Sequence, residues 1–236
     1  FKKVKWWFMI RINKYIAKSG ICSRRKADEL ILNASVSVNG KIVTDLGIQI
    51  DEKKDIVKVN GKEIILEEKK VYIMLNKPKG YVTTNNEQFG RKCTTQLIHE
   101  DVRVYPIGRL DMYTEGLLLF TNDGEFANSL THPKNKVEKT YIVKVNHNVD
   151  QNKLNILRNG VDIGGYITAP AKAESIGEKE IKIIISEGKN RQVRKMCEAV
   201  GLKVLNLKRV KIGNLELGNL PVGKYRYLTD KEINSI

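Results

Sequence analysis

The spacing of hydrophobic and polar positions changes twice along the chain. Ile12, Tyr15 and Ile16, with Ser19, fall at helical spacing, and Gly20 is placed to stop that helix. Ser23 stands directly before Arg24-Arg25-Lys26-Ala27-Asp28-Glu29-Leu30-Ile31, the position of an N-cap ahead of a second helix. The period then shortens to alternation, in two stretches that turn on the same tetrapeptide: Val38-Asn39-Gly40-Lys41 and Val59-Asn60-Gly61-Lys62. Asn-Gly between β-prone residues predicts a tight hairpin, because both central residues must adopt positive φ. Two helices followed by a small twisted sheet make residues 9–66 a compact module, and the charged run Glu67-Glu68-Lys69-Lys70 is its linker.

From Val71 the pattern is that of a second domain, residues 71–236. Val71 to Leu75 reads as a buried strand closed by a turn over Asn76-Lys77-Pro78-Lys79-Gly80. Further strands are expected at Val104 to Ile107, Leu117 to Thr121, Tyr141 to Val145, Lys179 to Ser186 and Leu202 to Ile212. Asn122-Asp123-Gly124 can cap a short helix running to Thr131 and ended by His132-Pro133. Two more helices are expected around Gln151–Leu157 and Asn190–Val200. Strands outnumber helices and do not alternate regularly with them, which predicts an α+β fold with a largely antiparallel, mixed sheet flanked by helices.

Charge sharpens this picture. The 236 residues carry 42 Lys or Arg against 27 Asp or Glu, a formal +15, and residues 1–27 hold nine basic residues before the first carboxylate, Asp28. Such an excess points to a polyanionic partner, nucleic acid before membrane surface. No apolar run has the length of a membrane span. Cys22, Cys93 and Cys197 are odd in number and far apart, so they offer neither a disulfide framework nor zinc spacing, which fits a reducing, cytoplasmic setting. The apolar stretch Trp6 to Ile10 is too short for a signal peptide core and runs into Arg11. Met9 is taken as the native start, and residues 1–8 as an extension outside the fold.

Several chemistries are disfavoured. His99, His132 and His147 are widely separated and none has Cys or carboxylate at ligand spacing, so no metal site is expected. No G-x-G-x-x-G follows a strand, which argues against a nucleotide cofactor or a doubly wound methyltransferase. Gly218-Asn219-Leu220-Pro221-Val222-Gly223-Lys224-Tyr225 nearly spells a phosphate-binding loop, but Tyr225 stands where a magnesium-holding hydroxyl is needed. It reads as a turn. Two segments remain. Gly108-Arg109-Leu110-Asp111-Met112-Tyr113-Thr114-Glu115-Gly116 sets an Arg and an Asp in a loop between apolar strands, although a lone Asp there is more often a turn residue. Glu187-Gly188-Lys189-Asn190-Arg191-Gln192-Val193-Arg194-Lys195-Met196 sets four cations at a helix start, where the macrodipole disfavours them, so they are expected to face an anion or to form a solvated basic face.

Gly108 through Asp111, followed by Thr114-Glu115-Gly116-Leu117-Leu118-Leu119-Phe120-Thr121-Asn122-Asp123-Gly124, resembles the catalytic motif of the RsuA/RluB-type ribosomal RNA pseudouridine synthases. Glu138-Lys139-Thr140-Tyr141 and Gly188 through Met196 match two further motifs of that family in the right order, and residues 9–66 resemble the small RNA-binding domain (αL motif) named for a ribosomal small-subunit protein. The likeness covers residues 9–236. It implies a cofactor-free isomerisation of uridine in ribosomal RNA, with the large subunit slightly favoured over the small. Asp111 would be the carboxylate beside the sugar, acting as nucleophile at the anomeric carbon or as base at its neighbour. Arg194 would form an ion pair that keeps Asp111 charged in a closed pocket. Tyr141 would stack on the uracil and take the proton from carbon five. Arg109 would replace the extruded nucleotide or hold its phosphate, since the bond to be cut is inaccessible inside a stacked helix. Arg11, Lys14, Lys18, Arg24, Arg25 and Lys26 in the first module, with Lys189, Arg191 and Lys195 in the second, are candidates for phosphate contacts, each weighed equally against a solvated surface role. The partner so implied is ribosomal RNA or a pre-ribosomal particle, met by a monomer without an obligate protein partner.

Two other classes compete. A non-catalytic RNA-binding or ribosome-assembly factor could keep the same scaffold, but it would not need Asp111, Arg194 and Tyr141 together. A methyltransferase would need the glycine-rich cofactor loop that the sequence lacks.

Overall fold

A computed structural model describes residues 9–84 and 90–236. The extension assigned to residues 1–8 lies outside the described residues. The chain divides into two compact units, one holding the described residues up to Lys70 with Glu100–Arg103, the other Val71–His99 with Val104–Ile236.

The first unit runs β1 (Met9–Arg11), α1 (Ile12–Lys18), α2 (Arg24–Leu32), β2 (Val36–Val38), β3 (Lys41–Ile42), β4 (Gln49–Asp51), β5 (Val57–Val59) and β6 (Lys62–Glu63). Ser23 caps α2 by accepting from the Lys26 N–H, and Gly20 ends the α1 segment at φ 81°. Both Asn-Gly turns form as the sequence requires, with Asn39 at φ 48°, Gly40 at 81°, Asn60 at 49° and Gly61 at 78°. They join β2 to β3 and β5 to β6 in the sheet order β3-β2-β5-β6. The apolar faces of α1 and α2 meet this sheet in a core of Ile12, Tyr15, Ile16, Ala27, Ile31, Val36, Ile50, Val57, Val59 and Ile64. A separate pairing of β1 with β4 was not legible, since each strand is only three residues long.

The second unit contains β7 (Tyr72–Lys77), β8 (Tyr105–Ile107), β9 (Glu115–Thr121), α3 (Gly124–Thr131), β10 (Lys139–Val145), α4 (Gln151–Asn159), β11 (Lys172–Gly177), β12 (Glu180–Ile185), α5 (Gln192–Ala199), β13 (Val204–Ile212), β14 (Leu215–Glu216), β15 (Tyr225–Tyr227) and α6 (Asp230–Ile233). Its sheet runs β11-β12-β10-β13-β9-β7-β15, with β14 on β13 and β8 on β9. All these pairings are antiparallel except β13 with β9. The α+β expectation holds. Among the described residues, no helix is long and apolar enough to cross a membrane.

Two local expectations are corrected. The strand does not stop at Leu75: β7 continues through Asn76 and Lys77, which are 1% and 0% exposed. Their donors are used inside, with the Asn76 amide N–H donating to Leu220 O at 2.7 Å and the Lys77 ammonium to four carbonyls described below, while Asn76 Oδ1 is buried without a hydrogen-bond partner. Helix α5 begins at Gln192, so Lys189 and Arg191 precede it and only Arg194 and Lys195 lie in its first turn. The Gly218–Lys224 stretch is a run of turns, as expected, and it is clamped to β7 by Asn76 N–H to Lys224 O and Gly223 N–H to Asn76 O.

Candidate active site

The unique parallel pairing among these strands brings distant motifs together. In register, Tyr141 on β10 lies opposite Arg209 on β13, and Arg209 lies opposite Gly116 on β9. Gly116 has φ 106°, and a Cβ there would come within 2.2 Å of Arg209 O, so only glycine lets β13 approach. The loop from Gly108 to Thr114 therefore ends beside the strand that carries Tyr141's neighbour. Asp111, Arg109, Tyr141, Lys189, Arg191 and Arg209 all line one cavity of about 800 Å³.

The Asp111 loop is suspended by its backbone carbonyls. Lys77 Nζ donates to Asp111 O at 3.1 Å, Thr114 O at 2.9 Å and Pro78 O at 3.0 Å, with Met112 O at 3.4 Å. Arg194 Nη2 donates to Tyr113 O at 2.8 Å and reaches Thr114 Oγ1 at 3.5 Å. The Thr83 hydroxyl donates to Leu110 O at 2.9 Å, and Gly80 N–H donates to Met112 O at 2.8 Å. Every carbonyl from Leu110 to Thr114 is thus held. The Asp111 side chain, by contrast, is half-buried at the cavity wall, and among the described residues no donor bonds its carboxylate. A rigid backbone carrying a carboxylate with open lone pairs suits a group that must reach a substrate.

Burial works against the cations that hold this loop. It pulls Lys77 down to about 8, with Arg209 adding to the fall and the Asp111 and Glu115 carboxylates opposing it. Arg194 is lowered, first by burial and then by Arg191, and again Asp111 opposes the shift. Lys139 is lowered by burial and by Arg209. Arg209 is 3% exposed, donating from Nε to Leu117 O at 2.8 Å. Cys197, on the buried face of α5, has its thiol pushed up to about 12, chiefly by burial.

The second motif lines the same cavity. Arg191 caps α5 in the left-handed region at φ 52°, a conformation that costs an arginine on the order of 1 kcal/mol and leaves its side chain exposed at the cavity. Gln192, 3% exposed, bonds both sides of its loop: its Oε1 accepts from Lys189 N–H and its Nε2 donates to Glu187.

Residues 71–199 match the family model described as RNA pseudouridylate synthase, and residues 10–57 match the S4 domain. The chain belongs to the RNA pseudouridylate synthase family. A Bacillus subtilis (strain 168) relative named ribosomal large subunit pseudouridine synthase B is 45% identical over 235 residues, covering 97% of this chain and 96% of that protein. The Escherichia coli (strain K12) dual-specificity RNA pseudouridine synthase RluF is 40% identical over 226 residues, covering 95% of this chain and 77% of that protein. A solved pseudouridylate synthase structure superposes with a TM-score of 0.71 at 34% identity, covering 96% of this chain and 99% of that one.

In this synthase the structure gathers Asp111, Tyr141, Arg109, Lys189 and Arg191 at one cavity, with Arg194 8% exposed behind the Asp111 loop. Lys195 is half-buried and does not line the cavity. The expectation of a direct Asp111–Arg194 ion pair is corrected: no such contact within 4.0 Å is made among the described residues. The guanidinium instead spends its hydrogen bonds on the neighbouring backbone and acts on Asp111 through space. In the S4 unit, Arg25 is exposed, Lys14 half-buried, and Arg11 Nη2 donates to Leu46 O at 3.1 Å. Arg24 reaches Asn13 Oδ1 at 3.4 Å, Lys18 pairs with Glu52 at 2.8 Å, and Lys26 pairs with Glu29 at 2.7 Å. The exposed Lys26–Glu29 pair is of the weak kind, readily exchanged for phosphate. Sequence reasoning missed Lys77, Arg209, Thr114 and Gln192. A lysine inside the apolar run Val71 to Leu75 and its continuation was the available signal for Lys77.

Proposed function

We propose that this synthase isomerises a uridine of large-subunit ribosomal RNA to pseudouridine, acting in the cytoplasm as a monomer on the RNA or on a pre-ribosomal particle. Residues 9–66 serve as the RNA-binding module, 67–70 as the link and 71–236 as the catalytic domain. The observation that carries the reading is the carboxylate of Asp111, open to the cavity on a backbone loop fixed at each carbonyl from Leu110 to Thr114.

The chemistry conserves every atom. The bond from the anomeric carbon to N1 breaks, the base turns, and a bond to carbon five forms. The proton on carbon five leaves and N1 ends protonated, so no cofactor enters the balance. Asp111 assists the first cleavage, as nucleophile or as base on the neighbouring carbon. Tyr141, 8% exposed at the cavity, packs on the uracil and accepts the proton from carbon five. Arg109, exposed beside Asp111, holds the place or the phosphate of the extruded nucleotide. Arg194 supports the negative charge of Asp111 from behind the loop, in a setting where burial strengthens its field. Lys189, Arg191 and Lys195, with Arg11, Lys14, Arg24, Arg25 and Lys26, contact phosphates and contribute affinity without naming the base.

Incubation with ribosomal RNA lacking the modification, followed by mapping of pseudouridine, tests the assignment. Product is expected at a single large-subunit uridine and is expected to vanish for Asp111→Asn while RNA binding persists. Product retained by that variant would overturn the role of Asp111, and binding without product in the unaltered protein would favour the assembly-factor reading.

A further inference from the structure

Tyr166 has no part in the chemistry above, yet it lines the same cavity. It sits at the end of a Gly164-Gly165 turn in which Asp162 Oδ1 accepts from the N–H groups of Gly164, Gly165 and Tyr166 at 2.9, 2.9 and 3.3 Å. Its hydroxyl donates to Glu187 Oε2 at 2.7 Å. The other oxygen of Glu187 accepts from Ala169 N–H at 3.0 Å and from Gln192 Nε2 at 2.6 Å. The ammonium of Lys189 stands 4.2 Å from the centre of the Tyr166 ring.

The ring is therefore fixed at its hydroxyl, at its backbone and on one face, and it still remains 38% exposed. A tyrosine that served packing alone would bury its ring. Lys189 is exposed and has no carboxylate partner within 4.0 Å among the described residues, so its charge is open to an anion. An oriented aromatic face beside a free cation is the pairing that holds an unstacked nucleotide, the ring taking the base and the cation its phosphate. Extrusion of one nucleotide from a stack leaves its neighbours with an uncovered face.

We propose that Tyr166 and Lys189 form a subsite for an unpaired nucleotide adjacent to the target uridine, the base stacking on the ring face opposite Lys189. This subsite rests on the reading that the protein modifies a uridine in folded RNA, and it adds a determinant of which uridine is chosen.

The test measures pseudouridine formation by the full chain on an unmodified ribosomal RNA fragment, and on two versions carrying an abasic residue on either side of the target. Tyr166→Ala is expected to raise KM about ten-fold, the scale of one lost base–aromatic stack, with a smaller change in kcat. Tyr166→Phe keeps the ring and is expected to stay within about two-fold of the parent. One abasic RNA should cost the parent the same factor of about ten, and should cost Tyr166→Ala nothing more. An unchanged KM in Tyr166→Ala, or an equal loss in Tyr166→Phe, would overturn the subsite, the latter by showing that only the bond to Glu187 matters. Additive losses from the variant and both abasic RNAs would overturn it too. An inactive parent protein would overturn the proposed function as well, whereas an active parent with an indifferent Tyr166→Ala overturns the subsite alone.

Discussion

The two units use the same basic side chains in opposite ways. In the S4 unit, Arg24, Arg25 and Lys26 are exposed; Lys26 pairs with the exposed Glu29, and Arg24 makes one long bond, at 3.4 Å, to the buried Asn13. In the catalytic unit, Lys77, Arg194 and Arg209 are 0%, 8% and 3% exposed, and their partners are backbone carbonyls, with Thr114 Oγ1 as an added acceptor for Arg194. A surface cation neutralises phosphate at little cost to folding. A buried cation without a carboxylate must be solvated by oriented dipoles, and the loop that supplies those dipoles is fixed as a result. Charge in the first unit is available for affinity. In the second it is structure, and it leaves a field at Asp111.

The contrast can be broken most severely at Lys77. Lys77→Met removes three N–H donors shared among four carbonyls, taking that partner from Pro78 O and Thr114 O, while Asp111 O keeps the Thr114 N–H at 3.0 Å. Turnover on unmodified RNA should fall at least ~100-fold, and urea unfolding should show a loss of about 2–4 kcal/mol. The pH dependence has a definite sign. The folded-state value of about 8 lies below that of a free lysine, so between pH 8 and about 10.5 the unfolded chain binds the proton that the folded chain releases. Stability of the parent relative to Lys77→Met should therefore rise with pH across that window. A flat difference would show that Lys77 titrates normally.

A smaller effect is expected from the surface cations. The triple change Arg11→Gln, Arg24→Gln, Arg25→Gln should weaken RNA binding about ten-fold at moderate salt and reduce the slope of log Kd against log salt by about 2–3. The melting temperature should hardly move. A large drop in melting temperature, or an unchanged salt slope, would erase the distinction between the units.

Arg226 offers the mildest test, because its partner is a carboxylate. It grips Glu232 through bonds of 2.8 and 2.6 Å, and this pairing, with the Thr229 N–H and hydroxyl, holds the Glu232 carboxyl down to about 2. A depressed carboxyl contributes stability above its unfolded value, and that contribution fades as pH falls from about 4.5 to 2. Glu232→Gln should cost about 1 kcal/mol at pH 7, discounted for partial exposure, and little at pH 2. Thermal melts of both proteins at the two pH values would read this.

Local order was legible wherever a short stretch sets its own geometry. The Ser23 cap, the Asp123 cap of α3 and the two Asn-Gly turns need only their own residues, and they form as expected. The short strands β1, β4, β14 and β15 were not legible, because two or three residues carry no period and gain their pairing from partners far along the chain. The motifs pointed to Asp111, Tyr141 and Arg194, but not to how they are held. A sequence ion pair between Asp111 and Arg194 is the simplest neutralisation, and the structure replaces it with carbonyl contacts.

By itself, then, the sequence determined the two-module order, the basic character of the first module and the α+β class, and it singled out Asp111 as the candidate carboxylate. Each depends on composition, on period or on a contiguous motif. Tertiary structure alone decided that Gly116 admits β13, that Arg209 stands between Tyr141 on β10 and Gly116 on β9, and that Lys77 turns inward. The reason is physical. Whether a lysine or arginine is solvated by water or by carbonyls depends on which backbone groups the fold places around it, and those groups come from segments separated in the chain by tens of residues.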